Sequence, residues 1–352
     1  MEKTIREAAT LSLQPPTTKD LARVAGVSRA TIDRVLNGRG GVTQKTVERV
    51  NAAIAQLGFE RNLSAANLAK GRSYRFLFAL PKSGDLFLQE VLKRIAEAES
   101  IFAAERVMTE VHHIDENDPH GTAGFLSRLT PEQLDGVAIM APETPQVRDA
   151  IQRLQERGVK ALPFISNQGL ASADWVGIDN RAAGRTAALL LGRFIHPRRG
   201  KILVVAESMQ SRDSLDRRQG FDSILNARFP GLTALPSLET YGMPERAHRI
   251  IATGLARNPD VCGAYILSSE ARIPLARLAE AQLAQPVVAI AHERTPFTEA
   301  ALRDETLDAL ITQDPGHLVR SAIRKLRALA DNRSTLESQE RIRIEVLLPT
   351  NL

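Results

Sequence analysis

The chain has 352 residues, enough for one small domain and one large one, or a large domain in two lobes. No apolar run reaches the length of about 18 residues that a membrane span needs, and the first residues, MEKTIREAATLSLQPPTT, lack the apolar core of a secretory signal, so a cytoplasmic location is expected. The one cysteine, Cys262, excludes an internal disulfide and, inside the apolar stretch Val261 to Leu267, reads as a buried structural thiol. The formal charge of +5 is unevenly placed: residues 1–72 hold 12 Lys/Arg against 6 Asp/Glu, and the remaining 280 hold 34 against 35. A basic module joined to a neutral body implies a polyanionic partner for the module alone.

Residues 1–16 show little pattern and end in Pro15-Pro16, as a loose extension does. Thr17 or Thr18 then caps a short helix over Lys19 to Ala25, with Leu21, Val24 and Ala25 expected on one face. Gly26 provides the left-handed exit, Val27 is a plug between helices, and Ser28 caps a second helix over Arg29 to Leu36. Ile32, Val35 and Leu36 form its apolar face, and Asn37-Gly38 ends it. A third helix starts after Thr43, runs through Val47, Val50, Ile54 and Leu57, and stops at Gly58.

Two short helices across a glycine turn, with a third packed over them, are a helix-turn-helix. Its second helix enters the major groove N-terminus first, so Arg29 and Ala30 are expected to meet base edges, the arginine on guanine and the alanine by apolar contact. Thr31 and Arg34 lie beside them, and the hydroxyls of Thr18 and Ser28 suit phosphates. A three-helix module that binds protein has the same spacing. The segment Asn62 to Arg72, a helix-compatible stretch ending at glycine, weighs against it.

Thr18 to Ser28, Thr31 to Gly38, and Val42, Thr46, Val50, Ala53 and Leu57-Gly58-Phe59 together resemble the lactose-repressor (LacI/GalR) family of bacterial regulators. Asn62, Ala65, Asn67-Leu68-Ala69 and Gly71 match that family's hinge. The resemblance implies that Leu68, beside Asn67, wedges into the minor groove at the centre of a palindrome, and that Arg29 and Ala30 hold the specificity positions, with Asn37 also at the DNA. Asp33 departs from the small hydroxyl residue usual there and is expected to pair with Arg29 or Arg34.

The pattern changes at Tyr74. Strands are expected at Arg75–Pro81, Val107–His112, Gly136–Met140, Ala161–Ile165, Lys201–Ala206, Ala264–Leu267, Val287–Ala291 and Ala309–Thr312. Helices are expected at Leu86–Arg106, Pro145–Gly158, Arg181–Phe194 and Arg217–Ala227. Repeated βαβ units give parallel sheets covered on both faces, and the run is long enough for two lobes. The fold class expected is therefore α/β, a two-lobed body with parallel sheets behind an all-α N-terminal helix-turn-helix domain. The body also resembles, more loosely, the periplasmic-binding-protein-like effector domain of lactose-repressor relatives, through Asp135-Gly136-Val137, Val176 to Asn180 with Gly184, Arg217 to Phe221 and Thr312-Gln313-Asp314. Domains are expected at 17–63 for DNA binding, 64–73 for the hinge and 74–352 for the effector. Within the body, lobe 1 covers about 74–179 and 315–337, and lobe 2 about 181–312 and 340–352.

The resemblance places a ligand cleft between the lobes, at the carboxyl ends of the strands. Phe87 matches an aromatic wall, Arg217 a ligand position and Tyr241 a stacking position; Arg212, in the loop before Arg217, and Gln313, at a crossover, are further candidates. Each has a plain structural alternative in core packing, a surface ion pair or hinge packing. Relatives carry acids where this chain has Ser268-Ser269-Glu270, Ala291-His292-Glu293 and Ser166-Asn167, so Asn167, Glu270 and His292 enter the candidate set and the ligand is expected to be a sugar or polyol not held by the usual three acids. The run His112 to His120 holds possible metal ligands at no metal-binding spacing and reads as a solvated loop. No nucleophile motif or phosphate loop appears, and neither a metal nor another cofactor is expected.

The expectation is a non-enzymatic, homodimeric or larger regulator of double-stranded DNA at a palindromic operator, because one short recognition helix reads too few bases. Its small-molecule effector acts either as inducer or as corepressor. A carbohydrate-handling enzyme, or a sugar-binding protein, with an appended helical module is the alternative.

Overall fold

A computed structural model describes residues 16–36, 40–59, 72–82, 85–168, 175–196 and 199–352. The chain divides into two compact units, Met1–Gly71 and Arg72–Leu352.

In the first unit, α1 (Thr18–Ala25), α2 (Arg29–Leu36) and α3 (Gln44–Leu57) surround a core of Leu21, Ala22, Ala25, Ile32, Val50, Ala53 and Phe59. Of the two threonines that precede α1, Thr17 is the cap. Its hydroxyl accepts the Asp20 amide at 3.3 Å, and the Asp20 carboxylate accepts the Thr17 amide at 3.0 Å. Thr18 is the first helical residue. Val24, expected in the core, is 37% exposed, because α1 turns its Ala22 side inward. Gly26 leaves the helix at φ 62° and ψ 40°, where a side chain would be strained and would also meet the Arg49 guanidinium at 2.7 Å. Arg49 Nη2 in turn donates to the carbonyls of Ala25 at 2.6 Å and Gly26 at 3.0 Å, which pins α3 to the turn. Asn37 and the hinge segment, with Asn67 and Leu68, lie outside the described residues.

The second unit holds two sheets. β1 (Tyr74–Pro81), β2 (Val107–Ile114), β3 (Gly136–Ile139) and β4 (Lys160–Pro163) form a parallel sheet in the order β2-β1-β3-β4. The other sheet contains β5 (Gly200–Ala206), β6 (Leu232–Ala234), β7 (Leu238–Glu239), β8 (Val261–Ile266), β9 (Val288–His292), β10 (Ala309–Thr312) and β11 (Glu345–Leu347). Its order is β11-β10-β9-β8-β5-β6, with β7 also on β5; β11 runs antiparallel and the other pairs parallel. The helices are α4 (Leu86–Phe102), α5 (Pro119–Arg128), α6 (Pro145–Glu156), α7 (Asn180–Ile195), α8 (Arg212–Arg228), α9 (Pro244–Ala256), α10 (Arg272–Glu280), α11 (Pro296–Arg303), α12 (Pro315–Ala330) and α13 (Glu337–Glu340). Helix α12 returns to the first sheet and packs on α4, so the chain crosses between lobes near Asn180, near Asp314 and again before β11.

Strand order reverses between β1 and β3 in the first lobe and between β5 and β8 in the second, and such switch points open a crevice at the carboxyl ends of parallel strands. Helices α7 and α8 are in backbone contact. A Cβ on Gly184 would lie 1.9 Å from the Arg217 carbonyl oxygen, and one on Gly220 would lie 2.0 Å from that of Arg181. This contact sets Arg217 against Asn180 at the lobe crossover.

Three expectations are corrected. Strand β2 continues past His112 to Ile114, so His113 and Ile114 are strand residues and not part of a loop; the His112 ring stacks on Phe125 at 3.7 Å between centroids. Arg212 opens α8 and is not in the loop before it, because the helix starts a turn earlier than its apolar residues indicate. Helix α5 begins at Pro119, capped by Asp118, where the proline and the polar run had suggested a loop. Among the described residues, no helix is long and apolar enough to cross a membrane, and Cys262 is buried.

Candidate functional site

In the first unit the second helix presents a capped, solvent-facing N-terminus. Ser28 Oγ accepts the Thr31 amide at 3.1 Å and sits 2.9 Å from Thr31 Oγ1. Arg29, Ala30, Asp33 and Arg34 are exposed, Thr18 and Thr31 are half-buried, and Ile32 turns wholly inward. The arginines therefore stand on the outer face of the helix, beside an N-terminal end of the kind that suits an anion.

In the second unit the polar centre is built on Arg217, a residue buried in the interior. Its Nε donates to Asn180 Oδ1 at 2.7 Å, Nη1 to the Leu267 carbonyl at 2.6 Å, and Nη2 to Glu293 Oε1 at 3.0 Å. Gln313 Nε2 donates to the same Oε1 at 3.2 Å. Carboxylates accept only, so this contact fixes the amide orientation and leaves Gln313 Oε1 as an acceptor without a partner. Glu293 Oε2 is also without one. Burial drives the Glu293 carboxyl up to about 7, against the opposing pull of Arg217. Its backbone, at φ 66°, holds this carboxylate at the end of β9 in a conformation that side chains seldom adopt. Beside it His292 Nε2 lies 2.9 Å from the Tyr265 hydroxyl, and burial, aided by Arg217, holds the imidazole well below its usual pKa.

Among the described residues, hydrogen bonds join the lobes across the cleft. Ser269 Oγ donates to Asp85 Oδ1 at 2.7 Å, Ser166 Oγ to Asp213 Oδ2 at 3.0 Å, and Arg212 Nη1 to Glu143 Oε2 at 3.3 Å. Asp85 also caps α4 by accepting the Phe87 amide at 2.9 Å. Burial raises the Asp213 carboxyl in spite of Arg217 and Ser166. At the mouth, Glu116 follows β2 and Glu207 follows β5, both exposed. The surroundings raise both carboxyls. Each loses hydration, and the charges acting on them are carboxylates: Glu207, Asp85 and Asp115 on Glu116, and Asp85 and Glu270 on Glu207.

The residues anticipated from sequence distribute unevenly around this centre. Arg217, Gln313 and His292 are in or beside the buried network. Glu270 is at the mouth, where it chelates Arg272. Arg212 pairs with Asp216 at 2.9 Å and bridges to the other lobe. Asn167 is half-buried after β4. The Phe87 ring is 3% exposed and belongs to the main core, and the exposed Tyr241 lies under the Arg246 guanidinium at 4.8 Å. Asp85, Glu116, Glu207, Asp213 and Glu293 were missed as site residues. Each follows closely on a strand or opens a helix at the cleft, and that position is a signal the sequence contained.

Residues 17–62 match the lacI family of bacterial regulatory proteins, and residues 76–334 match the periplasmic binding protein domain. The chain is similar to the maltose regulon regulatory protein MalI of Escherichia coli, 34% identical over 185 residues that cover 52% of either protein. It is also similar to the sucrose operon repressor of Streptococcus mutans, 25% identical over 58% of this chain and 60% of that one. The matched region thus spans about half the length of the curated relatives. Among solved structures, a glucose-galactose binding protein from Geobacillus stearothermophilus superposes with a TM-score of 0.69 at 16% identity, covering 80% of this chain and 99% of that one. A putative LacI transcriptional regulator from Bacteroides fragilis gives 0.69 at 19% identity, covering 80% and 98%. At such identities the likeness concerns the fold.

Proposed function

Because the chain belongs to the family of the periplasmic binding protein domain, with a lacI-family regulatory domain ahead of it, we propose that it is a DNA-binding transcriptional regulator, a repressor of sugar or polyol genes, controlled by a small ligand between its lobes. The observation that carries this reading is the α2 N-terminus: a capped, exposed helix end with Arg29 and Ala30 in its first turn, held rigid by Gly26 and Arg49. That geometry suits base reading by the arginine and phosphate binding by Ser28, Thr31 and Thr18. Arg34 and Asn37 add contacts, and Asn67 and Leu68 act in the hinge at the centre of a palindrome. Two copies of the chain bind together, since one helix reads a half-site only. The regulator works in the cytoplasm and catalyses no reaction.

In the body, Arg217, Glu293 and Gln313 form the floor of the ligand site, and the interlobe bonds Ser269–Asp85, Ser166–Asp213 and Arg212–Glu143 are the contacts made when the lobes come together. A ligand that touches both lobes favours that arrangement by its differential affinity and so shifts DNA binding. Electrophoretic mobility shift of the full chain on DNA from upstream of its own gene tests this reading. A retarded complex that responds to a sugar or polyol supports it; no retardation with or without ligand counts against it.

A further inference from the structure

The second unit begins at Arg72, directly after the segment that joins it to the first. Groups far away in sequence fasten this residue. Its Nη1 pairs with Asp331 Oδ1 at 3.1 Å, its Nη2 donates to the Ala330 carbonyl at 3.2 Å, and its guanidinium lies 4.9 Å from the centre of the Tyr74 ring. Tyr74, itself 1% exposed, donates its hydroxyl proton to the same carboxylate, whose oxygens lie 2.9 and 3.0 Å away. Arg327 also approaches that ring, at 5.3 Å, and pairs with Glu105.

Asp331 is the residue that ends α12. The last carbonyls of a helix carry partial negative charge, so a carboxylate beside them is repelled. The Asp331 side chain is 2% exposed and has lost its hydration as well. The helix end taken alone favours a cation or a glycine here. What accounts for the acid is what it holds, an arginine that also reaches the helix carbonyl and a tyrosine hydroxyl. Bonds of this charge-assisted kind are the strong ones.

Helix α12 is in turn held firmly. Its face of Leu318, Val319, Ala322, Ile323 and Leu326 is buried in the main core, and it packs on α4 of the first lobe. At 16 residues it is about 24 Å long, and its other end follows Gln313 of the polar centre by two residues. The root of the joining segment is thereby fixed to the first lobe.

We propose that Asp331 and Tyr74 are positioning residues for DNA recognition: they seat Arg72, and so fix the point at which the DNA-binding unit is tethered. They act through Arg72 and not by contact with DNA. The proposal rests on the reading of the chain as a DNA-binding regulator. A fixed root leaves the first unit fewer orientations, so two copies lose less freedom on meeting the two half-sites of a palindrome. A scrambled duplex offers no such pair of half-sites and gains nothing from the seat.

Two measurements on the full chain test it. Trypsin takes an arginine side chain into its own specificity pocket, so it cuts Arg72–Ser73 only when Arg72 has left Asp331. The rate of that cut, divided by the rate after Lys70 in the same digest, is expected to rise about tenfold in Asp331→Asn and about threefold in Tyr74→Phe, with both variants folded by circular dichroism. An unchanged ratio in both overturns the seat. The second measurement is anisotropy at several salt concentrations, with a duplex from upstream of the chain's own gene and a scrambled one. Asp331→Asn and Arg72→Met are each expected to weaken binding to the first about tenfold and to change the second by less than about twofold, with the salt slope unaltered. The sign separates the alternatives. An acid that acted on DNA by charge alone would, once removed, tighten binding to both duplexes, and an arginine on a phosphate would take about one unit from the salt slope when lost. Either result overturns the positioning role, as do equal losses on both duplexes. A purely stabilising Asp331 would lower the urea midpoint and leave the affinity of the folded chain unchanged, which overturns it too. A parent chain that holds both duplexes equally removes the regulator and with it the DNA role, while the trypsin ratio still decides whether Arg72 is seated.

Discussion

Arg217 Nη2 lies 3.0 Å from Glu293 Oε1, and both residues are almost wholly buried. The pair joins α8 to the end of β9, and Asn180 ties it to the lobe crossover. A buried pair of this kind contributes little relative to an apolar replacement of both members, but removing one member strands the other. Arg217→Met is therefore expected to cost about 3–5 kcal/mol of stability, with Arg217→Met/Glu293→Met recovering part of the loss. Urea unfolding of the four members of this double-mutant cycle measures it. A double variant no more stable than Arg217→Met alone contradicts the pairing.

Glu293 also gives stability a pH dependence. Its folded carboxyl titrates at about 7, above the usual value, so the folded chain holds this proton more tightly than the unfolded chain. The contribution is complete below the unfolded pKa of about 4.3 and is lost as pH rises through 7. Glu293→Gln removes that slope. The stability difference, variant minus parent, is expected to move in the variant's favour by on the order of 3 kcal/mol between about pH 4 and 8. His292, whose pKa is lowered, acts with the opposite sign: its stabilisation is lost as pH falls below the unfolded value. It is present in both proteins and drops out of the comparison. Thermal melts at intervals across that range check the slope, and parallel curves would contradict it.

The α7–α8 contact predicts a steric failure. Gly184→Ala puts a methyl where the Arg217 carbonyl oxygen stands, 1.9 Å from the new carbon, and neither backbone can yield without moving its helix. A loss of about 1–3 kcal/mol or more is expected, as overpacking gives. The same change at Gly124, whose nearest neighbour is the far end of Arg128 at 3.9 Å, is expected to be neutral or stabilising. Chemical denaturation of the two variants compares them directly.

On the DNA side, Arg29→Ala is expected to weaken binding to the preferred duplex by about 1–3 kcal/mol and to relax sequence preference at one position. Ser28→Ala removes the acceptor of the Thr31 amide and is expected to cost about 1 kcal/mol of folding stability in addition to any phosphate contact. Anisotropy titrations with preferred and scrambled duplexes separate the effects. An Arg29→Ala loss equal on both duplexes would assign that arginine to phosphate.

The first unit was the more legible part of the chain. Short helices with caps at Thr17 and Ser28 and glycine stops at Gly26 and Gly58 are local devices, and a local device can be read from neighbouring residues. Even there Val24 was misplaced, because which side of α1 faces α3 depends on contacts distant in sequence. Most strands of the body were also legible, as short apolar runs, although β8 begins three residues before its expected start and the short β6, β7 and β11 were not anticipated. Helix α5 was not, because Pro119 begins it while looking like a breaker, and helices α9 to α12 went without notice. The effector site was the least legible. Glu293 becomes important only through Arg217, which is 76 residues away, and the opposition of Glu116 to Glu207 exists only once two sheets face one another.

The most direct test of the regulatory role is a competition between two labelled duplexes of equal length at one salt concentration, one from upstream of the chain's own gene and one with its sequence scrambled. A regulator is expected to hold its own site about 10³-fold or more tighter than the scrambled one, and to change that ratio by roughly fivefold or more when its cleft ligand is added. Equal affinity for the two duplexes would contradict it.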